Sequence, residues 1–404
     1  MEENKKLLPK RRFNEFQNTH AWEQRKLSEV ADYRNGKAHE QDIDEQGQYI
    51  VVNSKFVSTN GQIKKFSNSL IEPLKVGELA FVLSDVPNGK AIARTFLVDE
   101  NDRYSLNQRI AGIAPHEDTD SYFLNIMMNR NSYFLKFDNG VGQTNLSKPE
   151  VEKFADRYPS YEEQTKIGNF FKQLDDTIAL HQRKLEKTKA IKSAYLSEMF
   201  PAEGECVPKR RFAGFTDAWV KCKLGDMADI VRGASPRPIN NPKWFDYNSD
   251  IGWLRISDVT EQDGRIHYLE QRISDAGQEK TRVLTESHLL LSIAATVGKP
   301  VINYVKTGVH DGFLIFQNPD FDREFMFQWL EMFRPKWSKY GQPGSQMNLN
   351  SDLVKDKDIV VPKMAEQTKI GQFFATLDNL ITHHQHKLEK LQNIKKAYLN
   401  EMFI

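Results

Sequence analysis

Two short segments of this 404-residue chain carry amide side chains at matching positions: Gly142-Gln143-Thr144-Asn145-Leu146-Ser147 and Ser345-Gln346-Met347-Asn348-Leu349-Asn350. A Gln or Asn amide pairs a donor with an acceptor, the pattern that matches the edge of adenine, as the Arg fork matches guanine. Gly140 and Gly142 in one loop, and Gly341 and Gly344 in the other, would let a backbone approach a phosphate. The same residue types also cap helices, and their spacing supports either use. Gln143, Thr144 and Asn145, with Gln346, Asn348 and Asn350, are therefore candidates for reading bases. Arg34, Lys37, Arg94, Arg237, Arg255 and Lys299 are further basic candidates, for each of which a plain surface charge is the simpler reading.

No catalytic centre accompanies them. A phosphate-binding GxxxxGK[ST] loop, an Asp- or Asn-Pro-Pro-aromatic tetrad, GxGxxG, HExxH, GxSxG and CxxC do not occur. Cys206 and Cys222 lack His or Cys partners at zinc spacing. His181 and His384, with His383 and His386 nearby, read better as helix-register residues than as metal ligands. No catalytic and no metal residues are expected. The net charge of +1 neither favours nor excludes nucleic acid. If DNA is the ligand, either the basic charge is patchy or partner proteins supply part of it. A composition of 39% hydrophobic residues with 25 Phe, 13 Tyr and 6 Trp is that of a folded protein. No apolar run approaches the ~20 residues of a membrane span, and MEENKKLLPKRRF has no apolar signal region. With so few cysteines, a cytoplasmic protein is expected.

The elements that would position these residues are written twice. EQTKIGNFFKQLDDTIALHQRKLEKTKAIKSAYLSEMF (163–200) and EQTKIGQFFATLDNLITHHQHKLEKLQNIKKAYLNEMF (366–403) are identical at roughly two-thirds of positions without a gap. PKRRFNEFQNTHAWEQRKLSEVAD, from Pro9, is echoed by PKRRFAGFTDAWVKCKLGDMAD, from Pro208. The stretches 37–140 and 234–343 share little. A period of ~200 residues means two whole domains and not a stacked solenoid.

Apolar residues in the repeats recur at alternating steps of four and three: Ile167, Phe171, Leu174, Ile178, His181, Leu185 in one, Ile370, Phe374, Leu377, Ile381, His384, Leu388 in the other. That period describes a seam facing another helix. Each helix would run 35–40 residues, about 55 Å. The two seams suit one another, as an antiparallel pair within one chain. Packing of each helix on its own domain, or pairing between chains, remains an alternative. Lys184, Lys187, Lys189 and Lys192, with Lys387, Lys390, Lys395 and Lys396, would form basic faces, either simply solvated or meeting phosphate or an acidic partner.

The variable blocks read as mixed, with strands at Ile50–Val52, Leu79–Leu83, Ile92–Val98, Trp253–Ile256, Leu289–Ala294 and Leu314–Phe316, and helices near 122–134 and 323–336. The expected fold is α+β: two similar domains, each followed by a long helix, with the helices forming an antiparallel coiled coil of pseudo-twofold symmetry. The expected boundaries are 1–158, 159–200, 201–361 and 362–404.

These residues resemble a known family. P-K-x-R-F-x-G-F…W…K-L-G-D-x-A at 208–228 is similar to the segment opening each recognition domain in specificity subunits of type I restriction–modification systems. The copy at 9–31 is looser, with Glu15 and Ser28 in place of Gly. EQ-x-K-I-G-x-F-F-x-x-L-D resembles that family's central and C-terminal repeats. Leu289–Gly298 resembles a loop of its recognition domain, with Ala294 or Ala295 where an Arg is often found. The resemblance implies a non-catalytic subunit with one target recognition domain per half of a bipartite double-stranded DNA sequence. The helices would be a spacer, through Phe171, Leu174, Ile178, Leu185, Phe374, Leu377, Ile381 and Leu388. It implies docking of two methyltransferase and two motor–nuclease subunits, with S-adenosylmethionine, ATP and Mg on those partners and none on this chain. A tandem scaffold that does not act on DNA and a divergent DNA-modifying enzyme stand as alternatives.

Overall fold

The computed structural model describes residues 8–340 and 349–404. The chain divides into two compact units, Met1–His181 with Lys387–Ile404, and Gln182–His386. The dividing line falls inside both long helices, Tyr161–Glu198 and Met364–Met402. Each helix starts two residues after a proline, Pro159 or Pro362, whose ring excludes the preceding residue from helical geometry. The least exposed positions along them follow the sequence seam: Phe171, Phe374, Leu185 and Leu377 are buried, and Leu174, Ile178, Ile381 and Leu388 are half-buried.

In the first unit the start of the first long helix packs on the end of the second. Phe170 meets Tyr398 with ring centroids 5.0 Å apart, and Asp175 bonds Lys395 at 2.6 Å. In the second unit Tyr195 meets Phe373 at 5.0 Å, and Lys192 bonds Asp378 at 2.6 Å. Rising numbers on one helix meet falling numbers on the other, so the packing is antiparallel in both units.

The first unit carries a four-stranded antiparallel sheet in the order Ala31–Asn35, Ile110–Pro115, Leu79–Val82, Thr95–Leu97. Leu79–Val82 is buried on both faces because it separates two cores. Leu79 and Phe81 join a core with Ile167, Phe171 and Met402 of the long helices, whereas Ala80 and Val82 face Ile50, Val52 and Phe56. A second sheet pairs Tyr49–Val52 in parallel with Tyr104–Leu106 and antiparallel with Phe66–Ser67. The second unit repeats the plan: Asp229–Arg232, Phe313–Gln317, Leu289–Ser292, Pro300–Asn303, then a fifth strand, Arg265–Ile266. Its smaller sheet again holds a parallel pair, Gly252–Leu254 with Thr307–Val309. Gly36 and Gly233 mark the same close approach: a Cβ there would lie 2.1 Å from the Asn107 carbonyl oxygen and 2.2 Å from that of His310.

Three expected elements end early for local reasons. Ile92–Val98 is a strand only at Thr95–Leu97, since Ala93 holds φ at +57°. Ile256 opens the helix Ile256–Glu261 instead of extending the strand before it. The helix near 122–134 breaks into Ser121–Met128 and Ser132–Leu135 around Arg130, at φ +57°.

Candidate nucleic-acid interface

The repeated segments build one docking frame per unit. The second arginine of each PKRRF segment forms a buried two-pronged pair with the glutamate opening a long helix: Arg12 with Glu163 at 2.7 and 2.6 Å, Arg211 with Glu366 at 2.8 and 2.6 Å. The first arginine reaches the end of the other long helix, Arg11 to Glu401 and Arg210 to Glu198, each at 2.5 Å. These guanidinium groups lie over Tyr398 and Tyr195 at 5.0 and 5.2 Å. The adjacent glutamines are equally committed. Gln164 accepts from Asp120 N and donates to the Pro159 carbonyl, and Gln367 accepts from Asp322 N and donates to that of Pro362. The Glu-Gln pairs that open the two repeats are thus buried ties. Their signal was the joint repetition of PKRRF and EQ.

The glycine of each KIG triplet has a similar reason. A Cβ at Gly168 would sit 2.4 Å from Asp120 Oδ1, and one at Gly371 2.6 Å from Asp322 Oδ1. Those aspartates cap Ser121–Met128 and Arg323–Phe333. Around them, Trp22, Phe123, Phe171 and Phe403 cluster in the first unit as Trp219, Phe325, Phe374 and Phe200 do in the second.

The amide loop of the first unit is held by a separate set of hydrogen bonds. Thr144–Asn145 pairs as a short ribbon with Ser84–Asp85, and Gln143 Nε2 donates to Ser84 Oγ at 2.7 Å. Ser54 Oγ reaches the Ser84 carbonyl at 3.5 Å. The Asp85 carboxylate accepts from the backbone of Val86, Ala91 and Ile92, which fixes the turn. Asn88 donates to the Gly140 carbonyl, tying the two loops together. Leu146 is buried and anchors the loop, whereas Gln143 and Asn145 are exposed and Thr144 is buried. The capping role falls to Ser147, which forms a capping box with Glu150 at the start of Lys148–Glu152.

In the second unit Asn350 is the matching cap, accepting from Leu353 N at 2.8 Å at the start of Ser351–Lys355. Its side-chain oxygen is taken by the helix, the capping one of the two uses open to it from the sequence. Gln346 and Asn348 lie outside the described residues.

Most of the basic candidates have carboxylate partners. Arg34 donates to Glu78 at 2.8 and 2.7 Å and to Glu72 at 3.1 Å, and the hydrogen bonds it gives Glu78 raise its pKa. Lys37 shares Glu72 at 2.9 Å and draws that carboxyl below its usual range. Arg237 is 71% exposed and bonds Asp311 at 2.5 Å; Ser235 Oγ donates to the same aspartate. Arg255 bonds Asp258 at the start of Ile256–Glu261. Arg94 Nε donates to the Lys90 carbonyl. Lys299 departs from expectation: it is buried, 2.5 Å from both Asp263 and Glu331. Burial works against its cation, yet the two carboxylates outweigh that and raise its pKa. It ties a strand to the helix Arg323–Phe333, so its charge is spent inside the domain.

Strand register identifies equivalent positions in the two units. Val82 pairs Ile110 as Ser292 pairs Phe313, and Val82 N and Ser292 N donate to Arg94 O and Lys299 O. Val52 pairs Leu106 as Leu254 pairs Val309. Ser54, Ser84, Arg94 and Arg109 therefore correspond to Ile256, Ala294, Lys299 and Gly312. Ser54 and Ser84, which stand beside Gln143, and Arg109 thus have apolar or small counterparts in the second unit, whereas Arg94 is matched by another cation.

Among the described residues, no group of three His, Cys, Asp or Glu side chains is placed to hold a metal ion, and no helix is long and apolar enough to cross a membrane. The model of the type I restriction modification DNA specificity domain matches residues 20–190 and 216–393. Two solved structures share the fold. One is the S subunit of a type I restriction–modification system from M. genitalium, with a TM-score of 0.68 and 13% identity, covering 98% of this chain and 99% of that one. The other comes from work on complex assembly and conformational transition of the type I R-M system, with a TM-score of 0.50 and 17% identity, covering 95% and 97%.

Proposed function

Since the chain belongs to the type I restriction–modification DNA specificity family, we propose that it reads a bipartite double-stranded DNA sequence, each unit contacting one half-site. It is the non-catalytic specificity subunit. The observation that carries the bipartite reading is the pairing of one docking frame, repeated residue for residue, with two readers whose equivalent loop positions differ chemically. Two readers with unlike loops would select unlike half-sites.

In the first half-site Gln143 and Asn145 would meet base edges. Ser84 fixes the Gln143 amide by accepting from its nitrogen, which leaves the amide oxygen as an acceptor toward a base donor. Lys37, Arg94 and Arg237 would serve phosphates, with Gln346 and Asn348 as the second unit's amide candidates. Arg34 and Arg255, less exposed in their carboxylate pairs than Lys37 and Arg237, would shape loops. The antiparallel long helices would set the gap between half-sites, because duplex positions recur each turn, about 34 Å. Two methyltransferase subunits, carrying S-adenosylmethionine, and two motor–nuclease subunits, using ATP and Mg, would dock on this scaffold in the cytoplasm. With a net charge of +1, the chain would leave much of the phosphate contact to them.

The test is to sequence methylated motifs in cells carrying the methyltransferase partner with and without this chain. A two-part motif with a fixed gap, present only with the chain, is the expected result. A continuous motif, or one indifferent to the chain, would reject the reading.

A further inference from the structure

The two readers are fastened to their helices differently. In the first unit the helix carboxylate Asp175 takes Lys395 at 2.6 Å and the Tyr122 hydroxyl at 2.9 Å. Tyr122 belongs to the helix Ser121–Met128, so no sheet residue takes part in these bonds. Among the described residues, that unit's larger sheet ends at Thr95–Leu97.

In the second unit the fifth strand, Arg265–Ile266, pairs in parallel with Pro300–Asn303 and carries Arg265 to the helices. Arg265 bonds Glu324 at 3.0 and 2.8 Å and Asp378 at 2.9 Å, donates to the Tyr304 hydroxyl at 2.9 Å, and lies 4.5 Å over the Phe327 ring. Asp378, on the second long helix, also takes Gln328 at 2.8 Å and Lys192, from the first long helix, at 2.6 Å. One largely shielded network thus joins the larger sheet, the helix beneath it and both long helices. Burial opposes the charge on Asp378, but Lys192 and Arg265 hold its carboxyl below the ordinary value.

We infer that Arg265 is a positioning residue for recognition: it fixes the second reading sheet on the long helices and thereby sets which gap between half-sites the second unit accepts. The inference rests on the bipartite reading above. Its physical basis is the strictness of the duplex. One added base pair shifts a half-site by ~3.4 Å and turns it by about 35°, so a sheet free to pivot on its helices would tolerate gaps that a tied one rejects. Arg suits the post because its planar fork holds Glu324 through two nitrogens while also reaching Asp378, a bidentate geometry that an ammonium lacks.

The experiment uses the full chain assembled with its methyltransferase partner. Methylation is measured on duplexes carrying the preferred gap and gaps one base pair shorter and longer. The expected result is that Arg265→Met cuts the preference for the natural gap roughly tenfold, within the range for groups coupled in one network. Base preference in the first half-site should stay unchanged, and Arg265→Lys should restore part of the gap preference. A fall in methylation by the same factor on all three duplexes, with the gap preference intact, would overturn the inference and leave Arg265 a stabilising residue only. If the unaltered chain itself shows no gap preference, the bipartite reading fails and takes this inference with it. Should Arg265→Met not fold, Glu324→Gln removes the charge of one partner and is judged by the same criteria.

Discussion

The docking frame and the amide loops of this protein differ in opposite ways between the two units. In the frame, Arg12–Glu163 is matched by Arg211–Glu366, Gln164 by Gln367 and Gly168 by Gly371, with nearly the same distances. In the loops, Ser54, Ser84 and Arg109 face counterparts Ile256, Ala294 and Gly312, equivalent only by strand register. A frame that must grip the same pair of helices tolerates little change. Positions at the ends of the sheet strands need not match the long helices and can change more freely. The division between what must fit the protein and what must fit the ligand thus runs within each unit.

The largest expected effect tests whether the frames are equivalent. Glu163→Ala and Glu366→Ala each leave a buried guanidinium without its carboxylate. The cost should be about 3 kcal/mol, the low end for breaking a buried pair, since the PKRRF segment can lift into water. Denaturant unfolding should show similar losses for the two. A loss confined to one unit would break the equivalence.

Next in size are the loops. Gln143→Ala should cost about 1–3 kcal/mol of discrimination at one half-site, read as methylation rates on duplexes with single base changes, with the melting temperature unmoved. Asn350→Ala should do the reverse, lowering stability by about 1 kcal/mol through the lost cap while base preference stays the same. Equal behaviour of the two variants would erase the distinction drawn between a reading amide and a capping one. Smallest are Arg11→Ala and Arg210→Ala, whose exposed pairs with Glu401 and Glu198 should contribute no measurable stability. A clear loss would show that the outer arginines grip as firmly as the inner ones.

The helices and the duplication were legible because two copies keep the same seam and the same breakers, so Tyr161–Glu198 and Met364–Met402 lie where the repeat puts them. The kinship of the variable blocks was not. Leu79–Val82 and Leu289–Ser292 do the same work between two cores, but any apolar residues of suitable size satisfy a doubly buried strand. The amide loop showed as polar residues among glycines, yet only the structure separates Gln143, bonded to Ser84, from Asn350, spent on a helix. Lys299 was misread as a surface charge because its partners, Asp263 and Glu331, lie more than thirty residues away on either side. The burial of Glu163 and Glu366 was not legible for the same reason, each meeting an arginine about 150 residues earlier.

The most direct measurement of the central claim, one common frame holding two independent readers, is an exchange of residues 20–155 for the matching block of another specificity subunit, followed by sequencing of the methylated motif. The account predicts that one half of the motif changes while the other half persists. A change in both halves, or in neither, would contradict it.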